Sequence, residues 1–128
     1  MLFGIGHDIV DNIRIAKLLH SYQTRFINKI LSEHEYQNFM NITHETKKIN
    51  YIAKRYAAKE AFSKACSTGL RYPIIMPNIS ILNDELGKPY FIFNEQIQYW
   101  LNKNNITRCL LSLSDEQQLS SAFVILEI

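Results

Sequence analysis

Alanine recurs at every fourth position in the middle of the chain, at Ala53, Ala57, Ala61 and Ala65. Residues four apart lie on the same face of an α-helix, so this spacing predicts a helix with a stripe of small side chains. Such a stripe lets another element pack close to the helix axis. We expect this helix to run from about Lys48 to Cys66, with Gly69 just beyond its end.

The same predicted helix carries a glutamate among apolar neighbours, in the segment YAAKEAFSKA from Tyr56 to Ala65. Lys64 follows Glu60 by four residues, which is the favoured spacing for an ion pair along a helix. A buried pair of this kind gains little net stability, because desolvation offsets the attraction. The alternative is that Glu60 and a second carboxylate bind a hard divalent cation through oxygen ligands. From the spacing alone, both interpretations stand.

The first strand, predicted over Leu2 to Val10, offers that second carboxylate. Its alternating faces carry Phe3, Ile5, His7 and Ile9 on one side and Gly4, Gly6, Asp8 and Val10 on the other. Two glycines before Asp8 indicate that a backbone or a ligand approaches closely there. Alternatively, Asp8 ends the strand and helps to cap the next helix. His7 lies on the apolar side, which favours a core or interface histidine over a ligand.

The remaining pattern predicts further capped helices and strands. Asp11 or Asn12 caps a helix to about His20, TRFINKIL continues helically after a break near Ser21, and SEHE forms a capping box from Ser32 to Glu35. NISILND and KPYFIF are predicted strands joined by the turn DELGK, and Asn94 caps a helix to about Lys103. Two strands, ITRCLLSLS and LSSAFVILEI, follow. We therefore expect an α+β fold, with a largely antiparallel sheet packed against the long central helix.

Length and composition limit the possible classes of protein. The 128 residues suit one domain, 1–128, and 47% hydrophobic with 20% charged residues is ordinary for a globular chain. No apolar run approaches a membrane span, and MLFGIGHDIV lacks the basic region of a signal peptide, so we expect a cytoplasmic protein. A net charge of +2 argues for neither nucleic acid nor membrane as a partner. Cys66 and Cys109 are expected to be free thiols.

A local basic face is predicted after the first strand. Arg14, Lys17, Leu18, Ser21 and Arg25 would gather on one side if a single helix continued through them. This face either docks an acidic partner or is simply solvated.

Five motifs, in order along nearly the whole chain, resemble holo-[acyl-carrier-protein] synthase, the small type of 4′-phosphopantetheinyl transferase. GIGHDIV resembles the family's opening G-[IL]-G-x-D-[IV], and KRYAAKEAFSKACSTGL resembles its signature K-R-[FW]-A-x-K-E-A-x-x-K-A-x-G-T-G-[IL]. The other three are RFINKILSEHEY, the hairpin NDELGKPYF and the final LSLSDEQQLSSAFVILE.

The resemblance implies a 4′-phosphopantetheinyl transferase fold and a reaction. 4′-Phosphopantetheine would pass from coenzyme A to a serine of apo acyl-carrier protein in fatty acid biosynthesis, releasing adenosine 3′,5′-bisphosphate. Asp8 and Glu60 would bind Mg²⁺, which also binds the pyrophosphate of coenzyme A, and a carboxylate or metal-bound water would accept the serine proton. Lys64 would lie near the phosphates, and Thr68 and Gly69 near the coenzyme.

The resemblance also implies partners. The family's first helix meets the acidic carrier protein, which extends by position to Arg14 and Arg25, with Lys17 on the same predicted face. Members of this length are typically homotrimers with active sites between subunits.

The sequence departs from the family pattern at three positions. Asp115 stands where some members have histidine, Ser67 replaces the first glycine of the usual G-T-G, and His7 occupies a variable position. Two other functions remain open. A small magnesium-dependent phosphohydrolase would use the same two carboxylates, whereas a noncatalytic module that binds a carrier protein or nucleic acid would keep the basic surface without needing Asp8 and Glu60 together.

Overall fold

The computed structural model describes residues 1–128 and contains five strands, five α-helices and one 3₁₀ turn at Met76–Asn78. The strands are β1 (Leu2–Asp11), β2 (Ile79–Asn83), β3 (Pro89–Phe93), β4 (Arg108–Glu116) and β5 (Leu119–Glu127). The helices are α1 (Asn12–Tyr22), α2 (Thr24–Ile30), α3 (Glu33–Met40), α4 (Glu45–Ala65) and α5 (Glu95–Lys103).

Three strands form an antiparallel sheet in the order β1, β5, β4, and β2 and β3 form a separate antiparallel hairpin. Helix α4, 21 residues long, packs across one face of the larger sheet, mainly against β1 and β5. The predicted α+β class, with antiparallel strands against a long central helix, is therefore confirmed. The strands are divided between two sheets rather than joined in one.

The glycines of β1 and the alanine stripe of α4 fit together at backbone distance. A Cβ atom on Gly4 would lie 2.1 Å from the carbonyl oxygen of Ala65, and one on Gly6 would lie 1.8 Å from that of Ala61. All four stripe alanines are fully buried. The close approach predicted beside Asp8 is confirmed, and the approaching element is the backbone of α4.

The side of β1 that faces the core is the glycine side, and the apolar side is open. Ile5 is 59% exposed, Ile9 57% and Phe123, on neighbouring β5, 42%. His7 is exposed on the same face, with Nε2 3.1 Å from Ser121 Oγ. His7 is therefore not a core residue. The apolar pattern misleads here because the core side of β1 packs on helix backbone and has no room for large side chains.

The predicted helix starts are mostly confirmed. Asp11, not Asp8, caps α1, accepting a hydrogen bond from the amide of Ile13 at 2.8 Å. Ser32 and Glu35 form the capping box of α3, and Asn94 caps α5. Helix α4 begins earlier than expected, after His44. None of the helices combines the length and apolarity that a membrane span requires.

The β2–β3 hairpin packs against α4 through aromatic side chains. The ring centres of Phe91 and Phe93 lie 5.3 Å and 4.9 Å from that of Phe62 in α4. Burial of such rings contributes much of the stability of a small core. This cluster fixes the hairpin on the helix that carries Glu60.

A buried lysine joins the segments around α4. Lys59 is fully buried, and its Nζ donates to Glu35 Oε1, to the carbonyl of Ile30 at 2.6 Å and to that of Met76 at 3.0 Å. Glu35 Oε2 also accepts the amide of Ile81. Burial lowers the pKa of Lys59 to about 8, although the Glu35 carboxylate opposes that shift. One ammonium group thereby holds the end of α2, the start of α3 and the 3₁₀ turn together.

Both cysteines are free, as expected. Burial raises the pKa of Cys66 to about 12 and that of Cys109 to about 11. Because the thiolate is the reactive form, neither thiol is set up as a nucleophile.

Candidate active site

Asp8 and Glu60 meet where β1 crosses α4. Asp8 follows Gly6 on the core side of β1, and Glu60 immediately precedes Ala61, whose carbonyl oxygen is the atom nearest to Gly6. The two carboxyls are close enough for the charge on Asp8 to raise the pKa of Glu60. The close backbone packing thus places two acidic groups at one point.

The Lys64 side chain contacts strand β1 rather than Glu60, which lies one turn away on α4. Its Nζ lies 3.1 Å from Asp8 Oδ1 and donates to the carbonyl of His7 at 2.9 Å. The Asp8 side chain is 15% exposed and that of Lys64 51%. No ion pair forms between Glu60 and Lys64, so the interpretation of Glu60 as the partner of Lys64 is wrong.

Glu60 is half-buried, and its environment disfavours a bare charge. Burial is the main cause of its raised pKa, and Asp8 adds to it, whereas the charges of Lys64 and Arg14 oppose it. A buried carboxyl beside another carboxylate is stabilised when a cation joins them.

The two carboxylates suit a hard divalent cation whose remaining ligands are water and substrate phosphates rather than protein side chains. Asp8 and Glu60 supply carboxylate oxygens, and no third histidine, cysteine, aspartate or glutamate completes a protein-only metal cluster. Mg²⁺ is commonly held by one or two carboxylates, with water and substrate phosphates completing its octahedral shell. Asp8 and Glu60 are therefore suitable ligands for Mg²⁺.

The segment after α4 forms a tight turn. Ser67 has φ +63° and Gly69 φ +66°, both in the left-handed region, and Thr68 Oγ1 donates to the carbonyl of Gly69 at 2.9 Å. Ser67 adopts the conformation that favours glycine, although it carries a side chain. The turn thus forms without the first glycine of the usual G-T-G.

A groove of about 1010 Å³ opens beside Glu60. Apolar side chains from α1, α2 and the segment after α4 line it, among them Leu18, Phe26, Ile75 and Met76. Tyr56, one turn before Glu60, lines the same groove. The groove therefore extends an apolar surface up to Glu60, one member of the acidic pair.

The predicted basic face is divided between two helices. Gln23 has φ +47° and ends α1 close to the break predicted near Ser21, so no single helix runs through Arg25. Arg25 nevertheless lines the groove from α2, and Arg14 contacts Tyr56 from α1. Lys17 is exposed on α1 and does not line the groove.

Two features of the site were absent from the sequence prediction. Tyr56 contacts Arg14 and lines the groove, and Lys59 anchors the groove wall through Ile30 and Met76. Elsewhere, Asp115 pairs with Lys54 at 3.5 Å. The sequence around Tyr56 and Lys59 does not indicate these contacts, because the partner residues lie far away along the chain.

Comparison with known proteins places the chain in a family. The sequence pattern of the 4′-phosphopantetheinyl transferase superfamily matches residues 4–121. A holo-[acyl-carrier-protein] synthase of Nitrosomonas europaea is 44% identical over 127 residues, covering 99% of each chain.

Solved structures agree with the sequence comparison. The crystal structure of holo-[acyl-carrier-protein] synthase from Neisseria meningitidis superposes with a TM-score of 0.95, at 41% identity and full coverage of both chains. The Bacillus anthracis enzyme, in complex with CoA (3′,5′-ADP), superposes with a TM-score of 0.83 at 32% identity, covering 98% of this chain and 96% of that one. With this match in sequence and fold over its whole length, the chain belongs to the holo-[acyl-carrier-protein] synthases of the 4′-phosphopantetheinyl transferase superfamily.

Proposed function

We propose that this protein transfers 4′-phosphopantetheine from coenzyme A to a serine of apo acyl-carrier protein, in a magnesium-dependent reaction of fatty acid biosynthesis. The serine oxygen bonds to the phosphorus next to pantetheine, the bond to the other phosphate breaks, and adenosine 3′,5′-bisphosphate leaves. The serine proton passes to a base at the site. The observation that carries the proposal is the acidic pair of Asp8 and Glu60, built at a groove in a chain of this family.

Asp8 and Glu60 are the proposed ligands of Mg²⁺. The ion supplies positive charge that stabilises the negative charge developing on the pyrophosphate. The two carboxylates come from different elements, β1 and α4, so the glycine and alanine packing sets their separation. Their own repulsion is the reason that a cation is favoured there.

Lys64, Thr68 and Gly69 are the proposed contacts of coenzyme A. The ammonium group of Lys64 is half-exposed and lies 3.1 Å from Asp8, so one cation adjoins both the acidic pair and solvent. The lysine ammonium attracts phosphate as a point charge, so it does not need the fixed planar geometry of an arginine guanidinium. The exposed turn at Gly69 follows α4 directly, which places it beside the same end of the helix.

Arg14, Lys17 and Arg25 are the proposed docking cations for the acidic carrier. Arg25 on α2 lines the groove with Leu18 and Phe26, and Arg14 on α1 contacts Tyr56, which lines the same groove. Neither arginine forms an ion pair within the chain. Both guanidinium groups can therefore pair with acidic side chains of a partner beside this groove.

We expect the double variant Arg14→Glu with Arg25→Glu to raise the KM for acyl-carrier protein about fivefold or more, because charge reversal at a docking surface slows association. The salt dependence of this KM should flatten, and the KM for coenzyme A should stay near its wild-type value. Steady-state kinetics at several salt concentrations measure all three. Lys47→Glu with Lys103→Glu makes the same change in net charge away from the groove and serves as the control. An unchanged KM for the carrier would reject this surface.

We further propose a homotrimer assembled through the open face of the larger sheet. Ile5, Ile9, Leu110 and Phe123 expose large apolar side chains on three adjacent strands. Contiguous exposed apolar surface of this kind marks an interaction site. Light scattering should give three times the chain mass, and Phe123→Asp should lower it. A monomeric mass for the wild-type protein would contradict this assembly.

The cytoplasm is the proposed compartment. Both thiols are free, as is usual in a reducing compartment.

Mass spectrometry of the carrier tests the proposed reaction. Incubation with apo acyl-carrier protein, coenzyme A and Mg²⁺ should add one phosphopantetheinyl group to the carrier and release one adenosine 3′,5′-bisphosphate. No mass gain at saturating substrates would overturn the proposal. Release of free phosphate without a carrier adduct would instead identify a phosphohydrolase, and binding without turnover would identify a noncatalytic module.

A further inference from the structure

Arg14 on α1 contacts Tyr56 on α4, and Tyr56 lines the groove. Arg14 Nη2 donates to the hydroxyl of Tyr56 at 3.1 Å, and the guanidinium carbon lies 5.6 Å from the ring centre. This hydroxyl is the only hydrogen-bond partner of the Arg14 side chain. No carboxylate of the chain forms an ion pair with Arg14, so its guanidinium can form one with an external partner.

Tyr56 occupies a position that connects the acidic pair to the docking surface. It lies one turn before Glu60 on α4, is half-buried, and lines the groove together with Leu18 and Arg25. Arg14 is near enough to Glu60 for its charge to act on that carboxyl. The Tyr56 hydroxyl therefore fixes a docking cation at the end of the groove where Glu60 lies.

The hydroxyl group distinguishes Tyr56 from the other aromatic residues found at this position. The family signature quoted above has phenylalanine or tryptophan at this position, and an aromatic ring alone would line the groove equally well. An arginine side chain that nothing holds loses rotamer freedom when a partner binds, and this loss weakens binding. A hydrogen bond that holds the guanidinium in advance reduces that loss.

We propose that Tyr56 is a positioning residue for carrier recognition: its hydroxyl holds the Arg14 guanidinium beside the groove, ready for an acidic side chain of the carrier. This inference rests on the proposed function and assigns Tyr56 a role in delivering the carrier serine to the site. Tyr56 itself contributes no group to the reaction.

Tyr56→Phe tests the proposal because it removes only the oxygen. We expect the KM for acyl-carrier protein to rise about threefold to tenfold, since one charge-assisted hydrogen bond is lost. The KM for coenzyme A should stay unchanged, and kcat should stay within about twofold, because the acidic pair is intact. Tyr99→Phe, on exposed α5, removes an equivalent hydroxyl away from the groove and should change neither constant.

A double-mutant cycle with Arg14→Ala isolates the contact. Once Arg14 is absent, Tyr56→Phe should have no further effect on the carrier KM, so the two changes should not be additive. Additive effects, or a wild-type KM for Tyr56→Phe, would overturn the positioning role while leaving the proposed function intact. If the wild-type protein itself formed no carrier adduct, the proposed function and this inference would both be wrong. Thermal melting of each variant shows whether the fold is retained.

Discussion

Glu60→Gln should lower the rate of phosphopantetheinyl transfer by about 100-fold or more, because it keeps the volume of the side chain but removes a charge that binds Mg²⁺. The same variant should melt at a temperature equal to or above that of the wild-type protein. The wild-type pKa of Glu60 is raised mainly by burial and then by Asp8, so the folded protein disfavours its charged form. Turnover assays and thermal melting without added metal measure the two effects.

The sign of the stability effect follows from the direction of that shift. The folded state holds the Glu60 proton more tightly than the unfolded state, whose carboxyl titrates near its ordinary pKa of 4.5. Wild-type stability contributed by this group is present below that pH and is lost as pH rises through the higher folded pKa. The Glu60→Gln variant does not lose stability in this way as pH rises. It should therefore be more stable than the wild-type protein only above about pH 4.5. Near wild-type turnover at low Mg²⁺ would contradict the metal role.

Gly6→Ala should destabilise the fold by about 3 kcal/mol or more, because the new methyl group would overlap the backbone. The methyl carbon would lie 1.8 Å from the carbonyl oxygen of Ala61 and 2.8 Å from the amide nitrogen of Ala65, and neither atom can rotate away. Strand β1 would have to move off α4, which separates Asp8 from Glu60. Activity should therefore fall together with the free energy of unfolding, measured by urea denaturation.

Two controls separate this clash from the general loss of a glycine. Gly87→Ala replaces a glycine at φ +85° with no atom within 4 Å, so its cost should be only about 1–2 kcal/mol of backbone strain. Ala61→Gly should not rescue Gly6→Ala, since the obstructing atom is a backbone oxygen rather than a methyl group. A Gly6→Ala protein as stable as the wild type would refute the close packing.

The alanine stripe and the two glycines each predicted a close approach, one at the central helix and one beside Asp8. That the two features pack against each other is shown only by the structure. The capping residues Asp11, Ser32 and Asn94 were recognisable for a local reason, because a cap acts within three residues of itself.

The exposed side of β1 could not be read from its pattern. Apolar residues usually mark the core face of a strand, but here they mark a face left open in the single chain. A break between α1 and α2 was predicted near Ser21, but its position at Gln23 was not, because a positive φ at a glutamine has no sequence signal. Side-chain partners from distant segments, such as Asp8 for Lys64 and Glu35 for Lys59, depend on the tertiary fold.

Isothermal calorimetry of coenzyme A binding, with and without Mg²⁺, tests the central claim that Asp8 and Glu60 form the metal site for the coenzyme. In the wild-type protein, Mg²⁺ should increase the affinity for coenzyme A by about tenfold or more, because a cation held by the two carboxylates would attract the anionic pyrophosphate. In Asp8→Asn and in Glu60→Gln this increase should disappear, while affinity without the ion should stay equal or improve, since a negative charge facing the phosphates has been removed. An equal response to Mg²⁺ in all three proteins would contradict the account.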